Sequence, residues 1–317
     1  MKKNIKVSIL MPTYNHEKFI AKAINSALMQ KTNFKWELLI HDDCSTDSTK
    51  KIAESFAEKY PDKITLITEK ENQGLLKSYK KLLSIAKGTY LAILESDDYW
   101  IDENKIQMQA DFLENNADYG IIATDILETD ERGGRANTNQ NFRNCNSRLK
   151  QTEHWYEQLL GNRGIYGACS VMFRKLDFEK YCNIDEWIKL QFKTFDHPAW
   201  LSISFNKKCK YISKVTAAYR VLSTSISNNK DAQKQMNFNI AIAQIEEYII
   251  SKFGYGTLSP RQYNHIICTC IMGKALKLHK CKEFCTYAKK LRPVTLKEKI
   301  MHIFPHLYYW QFIAKHK

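Results

Sequence analysis

The 317-residue sequence predicts an α/β fold: a Rossmann-like, mainly parallel central sheet flanked by helices, with a C-terminal helical extension. Three observations predict it. Short β-type runs alternate with segments of helical period over the first hundred residues. Polar and acidic residues gather just after those runs, and from about residue 232 onward the apolar spacing is helical only.

The β-type runs are Val7–Met11, Trp36–Ile40, Ile64–Ile67 and Tyr90–Leu94. Between them lie helical faces: Phe19, Ile20, Ala23, Ile24 and Ala27; then Ile52, Ala53 and Phe56; then Leu75, Tyr79, Leu82, Leu83 and Ala86. Thr46 and Asp47 are placed to cap the second helix. Lys87-Gly88 is placed to end the third, with glycine in the left-handed conformation. Regular strand–helix–strand alternation implies right-handed crossovers and parallel pairing. Beyond about residue 101 the alternation lapses. Residues 130–150, with Gly133-Gly134, Arg132, Arg135, Arg143 and Arg148, read as a mobile loop. A further β-type run covers Ala168–Arg174, and Ile240, Ile245, Tyr248 and Ile249 mark the helical extension.

With 44% apolar and 12% aromatic residues, and only 11 Gly and 6 Pro, the composition is that of a folded protein. Lysine and arginine exceed aspartate and glutamate by 48 − 34 = 14, which calls for an anionic partner: nucleic acid, membrane surface or phosphorylated substrate. The N-terminal apolar stretch is too short for a signal peptide, and no apolar run reaches the roughly 18 residues of a membrane span. The expected location is therefore cytoplasmic. Nine cysteines without a secretion signal read as reduced thiols. The set His265, Cys268, Cys270, His279, Cys281 and Cys285 lacks paired C-x-x-C knuckles and reads as core filler rather than a zinc site.

In an open α/β sheet, ligands bind beyond the carboxyl ends of the strands. There the sequence places Pro12-Thr13-Tyr14-Asn15, then His41-Asp42-Asp43-Cys44-Ser45-Thr46-Asp47, then Glu95-Ser96-Asp97-Asp98. Taken alone, Ser96-Asp97-Asp98 also fits a strand-ending turn. Acidic residues after two strands that should share an edge weigh against that reading. Clustered carboxylates repel one another or demand a cation, and oxygen ligands suit Mn²⁺ or Mg²⁺.

These residues resemble the inverting, nucleotide-sugar-dependent family 2 glycosyltransferases of the GT-A fold, bacterial cell-surface polysaccharide type. Ser8-Ile9-Leu10-Met11-Pro12-Thr13-Tyr14-Asn15 resembles the opening strand, and Asp42-Asp43-Cys44-Ser45-Thr46-Asp47 the D-D-x-S-x-D turn. Asn72-x-Gly74 and Lys87-Gly88-x-Tyr90 precede Glu95-x-Asp97, an E-x-D variant of the D-x-D motif. Cys169–Arg174 and Phe195-Asp196-His197-Pro198-Ala199-Trp200 resemble the acceptor half.

The resemblance implies residues 1–100 as a nucleotide-sugar-binding half, 101–230 as the acceptor-binding half of the same domain, and 231–317 as the extension. It implies that Pro12, Thr13, Tyr14, Asn15, Asp43, Asn72, Glu95, Ser96 and Arg220 bind the nucleotide-sugar. Tyr14 would stack on the base and Asp43 would accept from a ring N–H. Asp97, with Glu95, would hold Mn²⁺ or Mg²⁺. Glu95 is one methylene longer than aspartate, so contact with metal, with ribose or with an ordered water all stay open. Asp98 would support the site or cap a helix. Asp196 would be the general base, with His197 beside Pro198 read as structural. Leu222 stands where relatives carry His, leaving Arg220 as the phosphate contact.

The implied partners are a UDP-sugar donor and a saccharide or lipid-linked saccharide acceptor. The tail Lys297–Lys317 mixes Lys and His with Ile300, Ile303, Phe304, Leu307, Trp310 and other apolar residues around Pro305. That composition suits either an anionic membrane at the inner face or a helix docked on the domain. A nucleic-acid partner is not expected, because the convergent edge is acidic. A nucleotidyltransferase would need a Gly- or Lys-bearing loop where Pro12-Thr13-Tyr14-Asn15 stands. A catalytically inactive nucleotide-sugar binder is the alternative reading.

Overall fold

The computed structural model describes residues 4–134, 149, 152–161, 165, 167–222 and 231–315. Two compact units are present: Met1–Trp155 with Ile165–Val221, and Tyr156–Gly164 with Leu222–Lys317. The stretch expected as a loop falls largely outside the described residues.

The first unit contains β1 (Ile5–Thr13), α1 (Ile20–Leu28), β2 (Lys35–Asp42), α2 (Thr49–Lys59), β3 (Ile64–Thr68), α3 (Leu75–Ile85) and β4 (Tyr90–Ile93). Four strands and three helices thus fall where apolar spacing places them. After them come β5 (Tyr99–Trp100), α4 (Lys105–Asn115) and β6 (Tyr119–Thr129). The second unit begins with the short α5 (Tyr156–Leu159). The chain then returns to the first unit with β7 (Val171–Arg174), α6 (Lys175–Tyr181), α7 (Ile184–Lys189), α8 (Asp196–Asn206) and β8 (Lys208–Arg220). Among the described residues, the eight strands form one sheet in the order β3-β2-β1-β4-β7-β6-β8-β5.

Pairing is parallel for β1 with β2, β1 with β4, β2 with β3 and β6 with β8; it is antiparallel where β7 meets β4 and β6, and where β5 meets β8. β1 is buried from Val7 through Thr13, as a strand covered on both faces must be. Its Val7, Ile9 and Met11 share a core with Ile24 of α1, Leu38 and Ile40 of β2, and Ile106 and Leu113 of α4. The chain runs outward from β1 through β2 to β3, then crosses back to β4 on the other side of β1. The strand order therefore reverses between β1 and β4, and the carboxyl ends of these two strands flank the crevice.

Two local expectations are corrected. Gly88 is absent from the left-handed glycines, and α3 ends instead at Ala86 in extended conformation. The reason for glycine at 88 is close approach: a Cβ there would lie 2.4 Å from the Ser8 nitrogen and 2.7 Å from the Val7 carbonyl carbon. The Gly88 N–H donates to Ser8 Oγ at 2.8 Å, and Ser8 Oγ in turn donates to buried Glu37 at 2.6 Å. At α2 the N-cap is Ser48, not Thr46. Asp47 does accept from the Thr49 N–H at 2.9 Å, while the Thr46 N–H is turned back toward Asn15.

The second unit also contains α9 (Ala232–Phe253), α10 (Pro260–Lys277), α11 (Cys281–Lys290), α12 (Leu296–Ile303) and α13 (Pro305–Lys315). Ser259 with Gln262 and Thr295 with Glu298 form reciprocal caps that start α10 and α12. Pro305 separates the last two helices, as its missing N–H and fixed φ dictate. Among the described residues no helix is long and apolar enough to cross a membrane.

Candidate active site

β1, β2 and β4 deliver three loops to one edge. At the end of β1, Thr13 Oγ1 accepts from Ser96 Oγ at 2.8 Å, and Ser96 Oγ is 2.7 Å from His16 Nδ1. This contact bridges the reversal point itself. The Asp43 N–H donates to the Thr13 carbonyl at 3.0 Å, which ties the end of β2 to the same place. Asn15 adopts φ 55, a left-handed conformation that asparagine tolerates. Its Oδ1 accepts from the Thr46 N–H at 2.8 Å, and its own N–H donates to Ser45 Oγ at 2.9 Å. Asn15 thus joins the two loops. Pro12 is buried in β1, whereas Tyr14 is 43% exposed.

Asp43 is buried, and its two carboxylate oxygens accept from the backbone N–H groups of Gln73 and Gly74, each at 2.8 Å. Gly74, at φ 90, turns the chain into α3, and Asn72 Nδ2 donates to the Asp43 carbonyl at 3.2 Å. The Asn72-x-Gly74 pair is therefore the cradle of Asp43.

After β4, ligand atoms of Glu95, Asp97 and Asp98 all lie within 4.8 Å of one another. Burial raises the Glu95 carboxyl well above its ordinary range, reinforced by the charges of Asp97, Asp98 and Asp196. Asp98 is likewise raised, first by burial and then by Asp97. Asp98 caps no helix: its Oδ1 accepts the Arg220 N–H at 2.8 Å, and the buried Cys169 thiol donates to the same carboxyl. Arg220, expected to meet phosphate, has a buried guanidinium that donates from Nη1 to the Asp97 carbonyl and lies over the rings of Phe19 and Tyr99.

Asp196 opens α8. Its Oδ1 accepts from the His197 N–H at 2.8 Å and from Thr194 Oγ1. Burial raises its carboxyl, with the adjacent His197 pulling the other way. Tyr79 links it to the acidic cluster: the Tyr79 hydroxyl donates to Glu95 Oε1 at 3.4 Å, and its ring stacks on Phe195 at 3.9 Å. Tyr79 occupies an apolar position of α3, so its spacing marks it only as core. His16 and Ser96 meet across 80 residues, a contact that no local pattern discloses.

A sheet whose order reverses beside β1, with carboxylates gathered past β4, fits the GT-A class of nucleotide-sugar folds that the sequence resembles. The chain belongs to glycosyl transferase family 2, whose sequence pattern matches residues 8–179. It is 30% identical over 237 residues to Escherichia coli UDP-Glc:alpha-D-GlcNAc-diphosphoundecaprenol beta-1,3-glucosyltransferase WfgD, covering 74% of this chain and 84% of that one. S. aureus TarS in complex with UDP superposes with a TM-score of 0.56 at 19% identity, over 94% of this chain and 78% of that one. The mannosyltransferase PcManGT of Pyrobaculum calidifontis, in complex with GDP-Man and Mn²⁺, gives 0.57 at 16% identity, over 99% and 84%. Other relatives match over less of their length: the chain spans 37% of an uncharacterised Mycobacterium tuberculosis protein, at 38% identity over 129 residues.

Proposed function

We propose that this chain transfers a sugar from a nucleoside-diphosphate-sugar, a UDP-sugar, to a saccharide or lipid-linked saccharide acceptor, inverting the anomeric carbon in one displacement. The observation that carries this reading is the gathering of Glu95, Asp97 and Asp98 at the strand-order reversal, beside the loops of Thr13 and Asp43. The UDP bound to TarS and the UDP-Glc in the name of WfgD support the donor.

Three carboxylates this close, whose mutual repulsion a cation relieves, fit a divalent ion. Asp97 and Glu95 would hold Mn²⁺ or Mg²⁺, which when bound offsets the charge developing on the departing diphosphate. Asp43, fixed by two backbone N–H groups, is left to accept a further hydrogen bond from the base, since a carboxylate has about four acceptor sites. Tyr14, exposed just past β1, offers a face to the ring. Thr13, Pro12, Asn15 and Asn72 shape the floor, and Ser96 fixes the turn that carries Asp97. Arg220 braces the Asp97 peptide and sets a positive charge beside the phosphate position. Asp196 takes the proton of the acceptor hydroxyl as that oxygen attacks. With Oδ1 engaged by His197 and Thr194, Oδ2 is the atom assigned to the proton.

The C-terminal helices extend the reading to an anionic membrane surface. Met301, Tyr309 and Ile313 are buried within the second unit, while Ile300, Ile303, Phe304, Leu307 and Trp310 are exposed with Lys297 and Lys299. Apolar residues rimmed by lysine suit anionic headgroups. The undecaprenol-linked acceptor in the name of WfgD is consistent with work at such a surface.

The test is a panel of nucleotide-sugars with Mn²⁺ or Mg²⁺, scored for thermal stabilisation and slow donor hydrolysis. One UDP-sugar should raise the melting temperature in the presence of metal and be consumed. Stabilisation without consumption, even with acceptors supplied, would identify an inactive binder.

A further inference from the structure

The sequence offered six C-terminal His and Cys residues and no zinc pattern. In the folded chain Cys281 and Cys285 do come together, and their partner is a residue outside that set. Cys281, at the first position of α11, lies 3.9 Å from Cys285 Sγ one turn later and 3.7 Å from Nδ1 of His306, in the first turn of α13. Ligand atoms of all three lie within 4.8 Å of one another.

The two separations measured from Cys281 Sγ match a particular coordination geometry. With Zn–S of about 2.3 Å and Zn–N of about 2.0–2.1 Å, a tetrahedral ion separates two sulfurs by about 3.8 Å and a sulfur from a nitrogen by about 3.6 Å. The chemistry agrees with the distances. Two thiols and an imidazole form a soft to borderline donor set, which favours Zn²⁺ over the oxygen-seeking Mn²⁺ and Mg²⁺. The two helices are held in place by Phe284, which packs against Tyr308 and Tyr309 at 6.1 and 5.6 Å between ring centres.

We propose that Cys281, Cys285 and His306 form a Zn²⁺ site that clamps α13 onto α11, separate in residues and in ligand chemistry from the acidic cluster. On binding, each thiol loses its proton to solvent, His306 donates its Nδ1 lone pair, and water fills the fourth place. No electron transfer is involved. The clamp fixes the helix that bears the exposed Leu307 and Trp310.

Cobalt(II) titration of the full, reduced chain tests this. One equivalent should give a thiolate-to-cobalt charge-transfer band and the intense visible bands of a four-coordinate ion, both displaced by Zn²⁺. His306→Ala, at an exposed position, should weaken Co²⁺ binding at least tenfold, as should Cys281→Ser. Asp97→Ala should leave the bands intact, since an all-oxygen cluster produces neither. Hydrogen exchange of α13 should slow with Zn²⁺ in the wild type and not in His306→Ala. Absence of the charge-transfer band at saturating Co²⁺, or its survival in both His306→Ala and Cys281→Ser, would overturn the proposal.

Discussion

Asp196 and Lys105 are both buried and titratable, and burial raises the one and lowers the other; Asp196 is the base under the proposed function. Asp196→Asn keeps the shape and the Thr194 and His197 neighbours while removing the basic oxygen. Donor-induced stabilisation should persist and transfer should fall by about 10²–10⁴-fold, read from single-turnover assays beside melting curves. Near-normal turnover would move the base elsewhere. Lys105 is buried under the same edge, with its ammonium on Gln109 Oε1 at 2.5 Å and near the Ser170 carbonyl at 3.3 Å. Burial pulls it down from 10.5 to about 7. Between those values the unfolded chain binds the extra proton, so this group makes stability rise with pH across that window by roughly 1.4 kcal/mol per unit. Relative to Lys105→Met, the wild type should gain stability from pH 7 to pH 9 in urea titrations; a constant difference would contradict the shift.

At the scale of elements, the sequence disclosed what is periodic and local. β1 to β4 and the helices between them were legible because continuous apolar runs and one-faced helices leave few alternatives. β6 and β8 were not. Both are long, but Asp125 and Glu128 interrupt the apolar run of β6, and Lys210, Ser213 and Lys214 interrupt that of β8. Long-range pairing makes strands of them: with each other, parallel and irregular at Thr124–Ile126, and antiparallel with β7 and β5. Gly88 was noticed for the wrong reason, because a glycine after a helix is ambiguous between a left-handed cap and a tight approach. Gly88→Ala should therefore lower stability by about 1–3 kcal/mol through overpacking against β1 backbone. A calorimetric melt checks this, and an unchanged melting temperature would show that β1 yields. Gly74→Ala meets no atoms within 4 Å, so its cost should come from the φ of 90 alone, about 1 kcal/mol.

For the molecule as a whole, family membership and the acidic edge were readable because their residues follow strands in one stretch of sequence. The Cys281, Cys285 and His306 cluster was not, since it joins helices 25 residues apart and follows no short spacing rule. The tail was legible in composition but not in allocation: one side is used for packing and the other is left outward. Ile303→Glu with Trp310→Glu should abolish cosedimentation with anionic liposomes while leaving the melting temperature within a degree or so, because both side chains are over 60% exposed. Full retention on liposomes would leave the outward face without that role.

Asn15 bears on how ready the loops after β1 and β2 are for the nucleotide they are proposed to bind. By holding Thr46 and Ser45, it makes the segments after β1 and β2 surrender their freedom while the chain folds. A ligand arriving there meets a finished surface, so little of its interaction energy is spent on ordering protein. Under the proposed function, selectivity for the base would then be set by loops already tied to each other, and adaptation to different sugars and acceptors would fall to other parts of the chain.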